Sequence, residues 1–182
     1  MSEIYLPDKK YSVIYADPPW SFKTWPDKGK GKSADNHYNC MNKTDMQKLS
    51  VNEIADDNCV LFLWVTGPCL KEGLELIEAW GFKYKTIGFT WVKKNKIADT
   101  WFWGMGYYTR SNTELCLIAT KGKPLKRISK SVHQVVDDRI MRHSKKPDSV
   151  RDKIVELFGD IPRIELFARE KVSGWDCWGN EV

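Results

Sequence analysis

Ten residues near the amino terminus, VIYADPPWSF (Val13 to Phe22), place a carboxylate, two prolines and a tryptophan directly behind a short apolar run. Those residue types in that order suit one kind of chemistry. An exocyclic amine on a nucleobase is a poor nucleophile, because its lone pair is delocalised into the ring. A carboxylate and a backbone carbonyl that accept its two N–H hydrogens would draw the nitrogen towards tetrahedral geometry. They would also stabilise the positive charge that grows as a methyl group arrives. Asp17 and the carbonyl of Pro18 match this need, and Pro19 fixes the backbone so that both acceptors converge before reaction. Trp20 offers a π-face on which a base could stack. No strong general base is required, since the amine becomes acidic only as the methyl is transferred. The plain alternative is an Asp-Pro turn that closes a strand, with Trp20 as a core plug.

Such a turn needs a rigid element behind it. Val13, Ile14, Tyr15 and Ala16 have the β-branched and aromatic character of a buried strand, and Pro18 and Pro19 cannot donate to a sheet ladder, so Asp17 falls at the strand's carboxyl end. In open α/β sheets ligands bind at that edge. Further buried strands are expected at Val60 to Trp64, Ile87 to Val92, Leu115 to Ala119 and Ile164 to Phe167. Helical patterns alternate with them. Leu70, Leu74 and Ile77 share one face, with Pro68 in a first turn and Gly81 as the stop. Asp148 or Ser149 can cap a second helix striped by Val150, Ile154 and Leu157 and ended by Gly159. The alternation implies an α/β fold, a mostly parallel sheet with helices on both faces.

A chain of 182 residues suits one domain, 1–182, with loop insertions near 23–42 and 93–114. The segment Lys23 to Tyr38 is rich in Lys, Gly and Asp and is expected to overhang the Asp17 edge. The segment Lys93 to Glu114 crowds aromatics around Gly104 and Gly106 without a clear period, and loops of that length in a small domain are more often functional than idle. Its aromatic run, Trp101 to Tyr108, would stabilise an opened duplex, bind single strands, or belong to the core.

The 29 Lys and Arg against 24 Asp and Glu give a net charge of +5, compatible with a polyanionic partner and equally with simple solubility. Five cysteines, Cys40, Cys59, Cys69, Cys116 and Cys177, form no CxxC pair and no metal spacing, as expected of reduced thiols in a cytoplasmic protein. His133 and His143 lack partner spacing for a metal, so none is assigned. The first residues lack an apolar signal region, and no run of about 18 apolar residues occurs, which argues against export or membrane insertion.

ADPPW resembles the signature of the MT-A70 family of N6-adenine methyltransferases. LFLWVTG (Leu61 to Gly67), HSKKPD (His143 to Asp148), IELFAR (Ile164 to Arg169) and GWDCWGNE (Gly174 to Glu181) are similar to that family in the same order, from Tyr11 to the carboxyl terminus. The compact form is similar to the prokaryotic and phage branch. The resemblance implies a single Rossmann-like fold, circularly permuted so that the catalytic strand comes early and the cofactor strand late. It implies S-adenosylmethionine as cofactor, with its methionine part near Asp17 and Lys146 and its ribose near Arg169 and Asn180. Lys146 would pair with the cofactor carboxylate, Leu166 and Phe167 would line the pocket, and Asn180 would serve the ribose hydroxyls. Glu165, a carboxylate in an apolar strand, is expected to be paired, with Arg169 or a backbone amide, rather than to touch cofactor. Larger relatives carry an acidic residue well upstream of the signature, for which the sixteen residues before Asp17 leave no counterpart.

Tyr38 and Met41 match the family's pattern around a stacking tyrosine, which Trp20 would assist at the target base; His37 could contact phosphate or merely cap the loop. The basic segments at Lys28 to Lys32, Lys121 to Arg127 and Arg139 to Lys146 are expected to rim one edge and meet phosphates. A target adenine in a duplex would have to leave the stack to reach Asp17. The expected partner is therefore nucleic acid, DNA in preference to RNA, with a homodimer or partner subunit open. The rival readings are the same chemistry on RNA, a catalytically silent nucleic-acid-binding subunit, and a cytosine-N4 enzyme.

Overall fold

The computed structural model describes residues 5–20, 41–142 and 144–182. Seven strands form one sheet: β1 (Tyr11–Ala16), β2 (Ala55–Val65), β3 (Lys83–Val92), β4 (Thr113–Lys121), β5 (Val135–Val136), β6 (Arg163–Leu166) and β7 (Asp176–Trp178). Their order is β5-β3-β4-β2-β1-β6-β7. β1 lies between β2 and β6 and is parallel to both, β6 is parallel to β7, and β3 to β5. Only β4 is reversed, antiparallel to β2 and β3. The helices are α1 (Lys43–Lys48), α2 (Val51–Ile54), α3 (Leu70–Ala79) and α4 (Ser149–Phe158), with a 3-10 turn at Gly67–Cys69 before α3.

Both faces of the central strands are covered, so β1 and β2 read as apolar runs rather than alternating ones. Ile14, Ala16, Leu61 and Leu63 join Leu76, Ile77 and Trp80 of the α3 side in one core cluster. Val13, Tyr15, Val60, Phe62 and Trp64 join Val150 and Ile154 of α4 in the other. This is the mostly parallel, doubly covered sheet expected from the strand and helix alternation. Among the described residues no helix is long and apolar enough to cross a membrane.

Local details differ from the sequence pattern for identifiable reasons. The buried stripe of α3 is Gly73, Leu76 and Ile77, while Leu70 is more than one-third exposed. Gly73 lets the helix approach β2: a Cβ there would lie 2.4 Å from Cγ1 of Val65. Asp148 makes no capping bond to α4, because its carboxylate is taken by Lys145 and Arg151. β6 stops at Leu166 because Phe167 takes a left-handed φ of 61°.

The single reversed strand decides which loops meet. With β1, β2, β3, β6 and β7 pointing one way, Asp17, Lys93 and Phe167 emerge at one edge. Reversal of β4, which pairs Leu115 with Val65 at the carboxyl end of β2, brings Glu114 to that edge too. The same reversal sends Lys121 to the start of β2, opposite Cys59, where its ammonium donates to the carbonyls of Asn52 and Ala55. The segment Lys121 to Arg127 therefore leaves from the far edge and does not rim the Asp17 side, contrary to expectation. Periodicity alone could not reveal the direction of β4.

The Gly73 contact makes a test of the packing. Gly73→Ala should destabilise the protein by about 1–3 kcal/mol through overpacking, despite a helix-propensity gain of about 1 kcal/mol. The urea midpoint should fall; an unchanged or higher midpoint would show that α3 has room against β2.

Candidate active site

Two prolines shape the turn after β1. The Trp20 amide donates to the Pro18 carbonyl at 2.8 Å, spanning two residues around Pro19, a γ-type turn that the fixed φ of proline favours. One lone pair of that carbonyl remains for another donor. Trp20 is 7% exposed and its indole N–H donates to the Trp64 carbonyl at 2.8 Å. The ring expected to stack a base is thus packed in the core beneath α3, where a large aromatic with its N–H satisfied anchors the turn. Trp64 in turn donates to the Tyr15 hydroxyl at 2.7 Å, which ties the turn to the carboxyl ends of β1 and β2.

Lys146, from the segment before α4, meets this turn. Its ammonium lies 2.8 Å from Asp17 Oδ2 and 3.3 Å from Glu114 Oε2, donates to the Ser144 carbonyl at 3.3 Å as a third partner, and sits over the Trp64 ring. The other Glu114 oxygen is held by Lys93 at the end of β3. Four side chains from four chain segments therefore form a balanced row of two cations and two anions, Lys93, Glu114, Lys146 and Asp17. Glu114 Oε2 makes no hydrogen bond, so it remains an acceptor facing the row.

Charge and burial oppose each other here. Burial pushes Asp17 above the usual aspartate range, Lys146 and Arg169 pull it back, and Glu114 adds to the rise. For Glu114, burial also acts upward, but Lys146 and Lys93 outweigh it and leave the carboxyl below the usual glutamate range. Burial acts against the charge of Lys146, yet Asp17 and Glu114 hold it protonated, above the usual lysine range. The upward shift of both Asp17 and Lys146 is consistent: Lys146 serves two carboxylates, whereas Asp17 has a share of one ammonium. The Asp17 side chain keeps 17% exposure, so it is not sealed inside.

That exposure opens on a cleft of about 30 Å³ bordered by Asp17, Ser144, Lys146, Glu165, Phe167 and Arg169, with Arg142, Lys145, Arg151 and Glu170 behind them. Two of its residues, Ser144 and Phe167, have left-handed φ values of 61° without being glycine. Such backbone costs about 1–2 kcal/mol per residue and is concentrated at functional sites. Phe167 stacks edge-on against Trp178 at 5.5 Å. Leu166 has no exposed surface and belongs to the core, so the wall is formed by Phe167 alone of that pair. Arg169 lies 3.9 Å from Glu181. Asn180 is in the turn after β7, which is drawn to this edge by the Ala168 amide donating to the Trp178 carbonyl. Met41 packs, half-buried, against the Trp20 core. Tyr38, His37, His143 and Lys28 to Lys32 lie outside the described residues.

Glu165 is paired, but not with Arg169. Arg151 of α4 reaches across the sheet face and donates to it twice, Nε to Oε2 at 2.7 Å and Nη2 to Oε1 at 3.0 Å. Arg151, Glu114 and Lys93 were missed by the sequence reading. Glu114 carried the same signal as Glu165, a carboxylate within an otherwise apolar strand. Among the described residues no group of three or more His, Cys, Asp or Glu is placed to hold a metal.

A parallel sheet with one reversed strand, helices on both faces and a charged cleft at its carboxyl edge defines the Rossmann-like methyltransferase class. The chain belongs to the MT-A70 family, whose profile matches residues 11–181. It is 40% identical to the type II methyltransferase M.MunI of Mycoplasma sp, over 97% of this chain and 80% of that protein. It is also similar to a probable N(6)-adenosine-methyltransferase MT-A70-like protein of Oryza sativa subsp. japonica, 29% identical over 95% of this chain and 23% of that protein. Identity to the N(6)-adenosine-methyltransferase catalytic subunit METTL3 of Homo sapiens is 28%, over 95% of this chain and 28% of that protein. The chain thus spans about a quarter of the length of these two eukaryotic relatives.

The row of charges makes opposite predictions for its two neighbours of Asp17. Removing the ammonium in Lys146→Met should raise the Asp17 pKa, and removing the carboxylate in Glu114→Gln should lower it. Carbon-13 NMR titration of the Asp17 carboxyl would read both; shifts of the same sign would show that the row is not electrostatically coupled as described.

Proposed function

We propose that the protein transfers a methyl group from S-adenosylmethionine to the N6 amine of adenine in DNA, with the chain permuted so that the catalytic strand is β1 and the cofactor strand β6. The single observation that carries this reading is the Asp17 carboxylate. It is held by Lys146 at the carboxyl end of the central strand and partly open to a cleft, beside a rigid carbonyl with a spare lone pair.

The residues at the cleft suit the cofactor's chemistry. Its sulfonium and ammonium groups would face Asp17 and Glu114, its carboxylate Lys146, and its apolar and ribose portions Phe167, Arg169 and Asn180. When bound, it supplies an electrophilic methyl group. The cleft as it stands holds roughly one water molecule. The long side chains of Arg142, Lys145 and Arg169 that border it would have to swing aside on binding. Asp17 Oδ1 and the Pro18 carbonyl would accept the two N6 hydrogens, while Lys146 on Oδ2 keeps the carboxylate ionised against the pull of burial. The acceptors are fixed before the substrate arrives, so little reorganisation accompanies the growth of positive charge on nitrogen. Tyr38 and Met41 are the proposed supports for the target base; Trp20 holds the turn.

DNA is preferred because a relative of comparable size is the type II methyltransferase M.MunI, of which this chain covers 80%. The same chemistry on RNA is the second reading, supported by relatives named N(6)-adenosine-methyltransferases that match 95% of the chain. Incubation with cofactor labelled in the methyl group and duplex DNA, single-stranded DNA or RNA, followed by nuclease digestion, would identify the product. We expect N6-methyladenine from DNA; methylated cytosine, or no transfer to any of the three, would overturn the reading.

Asp17→Asn should reduce transfer by at least about a hundredfold, the scale of losing one preorganised group at a developing charge. The variant should still fold, with an unchanged circular-dichroism spectrum, because Lys146 keeps Glu114 as a partner. Transfer within tenfold of the wild type would remove Asp17 from the mechanism.

A further inference from the structure

We propose that the loop between β3 and β4 is a stacking platform for unpaired bases of the strand that carries the target adenine. This rests on the reading above that the substrate is a nucleic acid, and specifies which surface takes the bases flanking the site.

The first argument is exposure. Among the described residues outside this loop every tryptophan is buried, Trp20, Trp64, Trp80, Trp91, Trp175 and Trp178 each having less than a tenth of its surface exposed, and only the isolated Tyr5 and Tyr84 rings face water. In the loop, Trp103 is 57% exposed, Tyr107 75% and Tyr108 93%. These rings do not belong to the core. They form an apolar surface of the sort that marks an interaction site.

The second argument is that the loop is built to hold the rings outward. Phe102 N–H donates to the Lys93 carbonyl at 2.9 Å, Gly104 N–H to the Ser111 carbonyl at 2.7 Å, and Lys93 N–H to the Asn112 carbonyl at 3.0 Å. The Asn112 side chain closes the same ladder by donating to the Phe102 carbonyl at 2.7 Å. At the tip, a Cβ on Gly106 would fall 1.6 Å from the Thr109 carbonyl oxygen, so only glycine permits this turn. The backbone is ordered by its own bonds while the rings around the tip face out.

The third is position. The loop is closed at its base by the Lys93 and Glu114 ion pair, and Glu114 continues to Lys146 and Asp17. The base of the loop thus adjoins the carboxylate at which the proposed function places the adenine. The fourth is charge. From Lys94 to Asn112 the loop carries Lys94, Lys96 and Arg110 against Asp99 alone. Lys94 lies over the Trp101 ring at 5.5 Å while paired with Asp137 and Asp99, and Arg139, which donates to the Ile97 carbonyl, shares Asp99, so these two brace the loop and Lys96 and Arg110 are the cations left to meet a polyanion. Aromatic faces interleaved with cations suit a polyanion with exposed bases, since every base has a face to stack and every linkage a charge to neutralise.

The test uses the full chain with exposed rings removed, Trp103→Ser together with Tyr108→Ser. Fluorescence anisotropy with a labelled single-stranded DNA containing adenine should show the dissociation constant rising about tenfold or more, the usual range for lost base stacking. Its salt dependence should keep the wild-type slope, because no cation has been removed. The melting temperature should not change. Affinity within twofold of the wild type would overturn the platform. So would sedimentation showing a wild-type dimer that the variant dissolves while oligonucleotide affinity is kept, since the face would then serve self-association. Methyl transfer by the wild type is read separately: absent transfer with ring-dependent binding overturns the catalytic reading alone, and intact transfer with ring-independent binding overturns the platform alone.

Discussion

An aspartate buried at the end of a central strand is stable only if something shares its charge, and here that partner is Lys146. The ammonium cannot satisfy Asp17 alone, for it is buried too and lies between two carboxylates. Lys93 neutralises the second of them from the far side. Removing ions from water costs several kcal/mol each, so such a row survives only when every member is paired. The pairing is a consequence of topology. Glu114 belongs to the one strand that runs backwards, and with β4 parallel to its neighbours that residue would sit at the opposite edge. Lys146 would then be left with Asp17 and a carbonyl. The reversed strand is therefore as much a part of the site as the DPPW turn.

The turn itself answers a different constraint. A carboxylate and a carbonyl can act as paired acceptors only if neither has to move, and side-chain packing supplies what proline begins. Trp20 locks the end of the turn to Trp64, and Trp64 to Tyr15, so that the rigid segment continues into the sheet. Across the cleft, Arg151 locks Glu165. The opposing wall is fixed by left-handed backbone at Ser144 and Phe167, a conformation that weakens stability locally. Strain and buried charge fall in the same few residues, as expected where a site is preorganised at the expense of the fold that carries it.

How much of this could be read in advance follows from what each feature depends upon. The strand ending at Asp17, the helices on both faces and the edge that holds the cleft come from local pattern, and Val13 to Ala16 followed by two prolines left little choice. Lys146 came from resemblance in HSKKPD, not from physics, since a lysine beside a lysine is ordinarily a solvated charge. Glu114 and Arg151 depend on which segments meet, which no window of residues contains. The expectation that Lys121 to Arg127 would rim the Asp17 edge failed for the same reason: strand direction is a property of the whole sheet. For Trp20 the sequence left a base-stacking face and a core plug open, and packing places the ring in the core, because a tryptophan beside such a turn suits either role.

The aromatic loop shows the reverse case, in which composition raised the right question and burial answered it. Trp91 and Trp103 are twelve residues apart, yet one is buried under the sheet with its indole N–H on the Asp138 carbonyl and the other faces solvent. Between them lies Lys93, whose pairing with Glu114 marks where sheet gives way to loop. Just before that pair, Phe89 and Trp91 stabilise the protein by leaving water; beyond it, Trp103, Tyr107 and Tyr108 remain in water on an ordered backbone. A rigid base joined to the Asp17 carboxylate and an outward surface of rings divide the loop physically. Under the proposed function the first part would have to be invariant in geometry, while the second would need only flat faces and positive charge, and so would tolerate many sequences of bases passing over it.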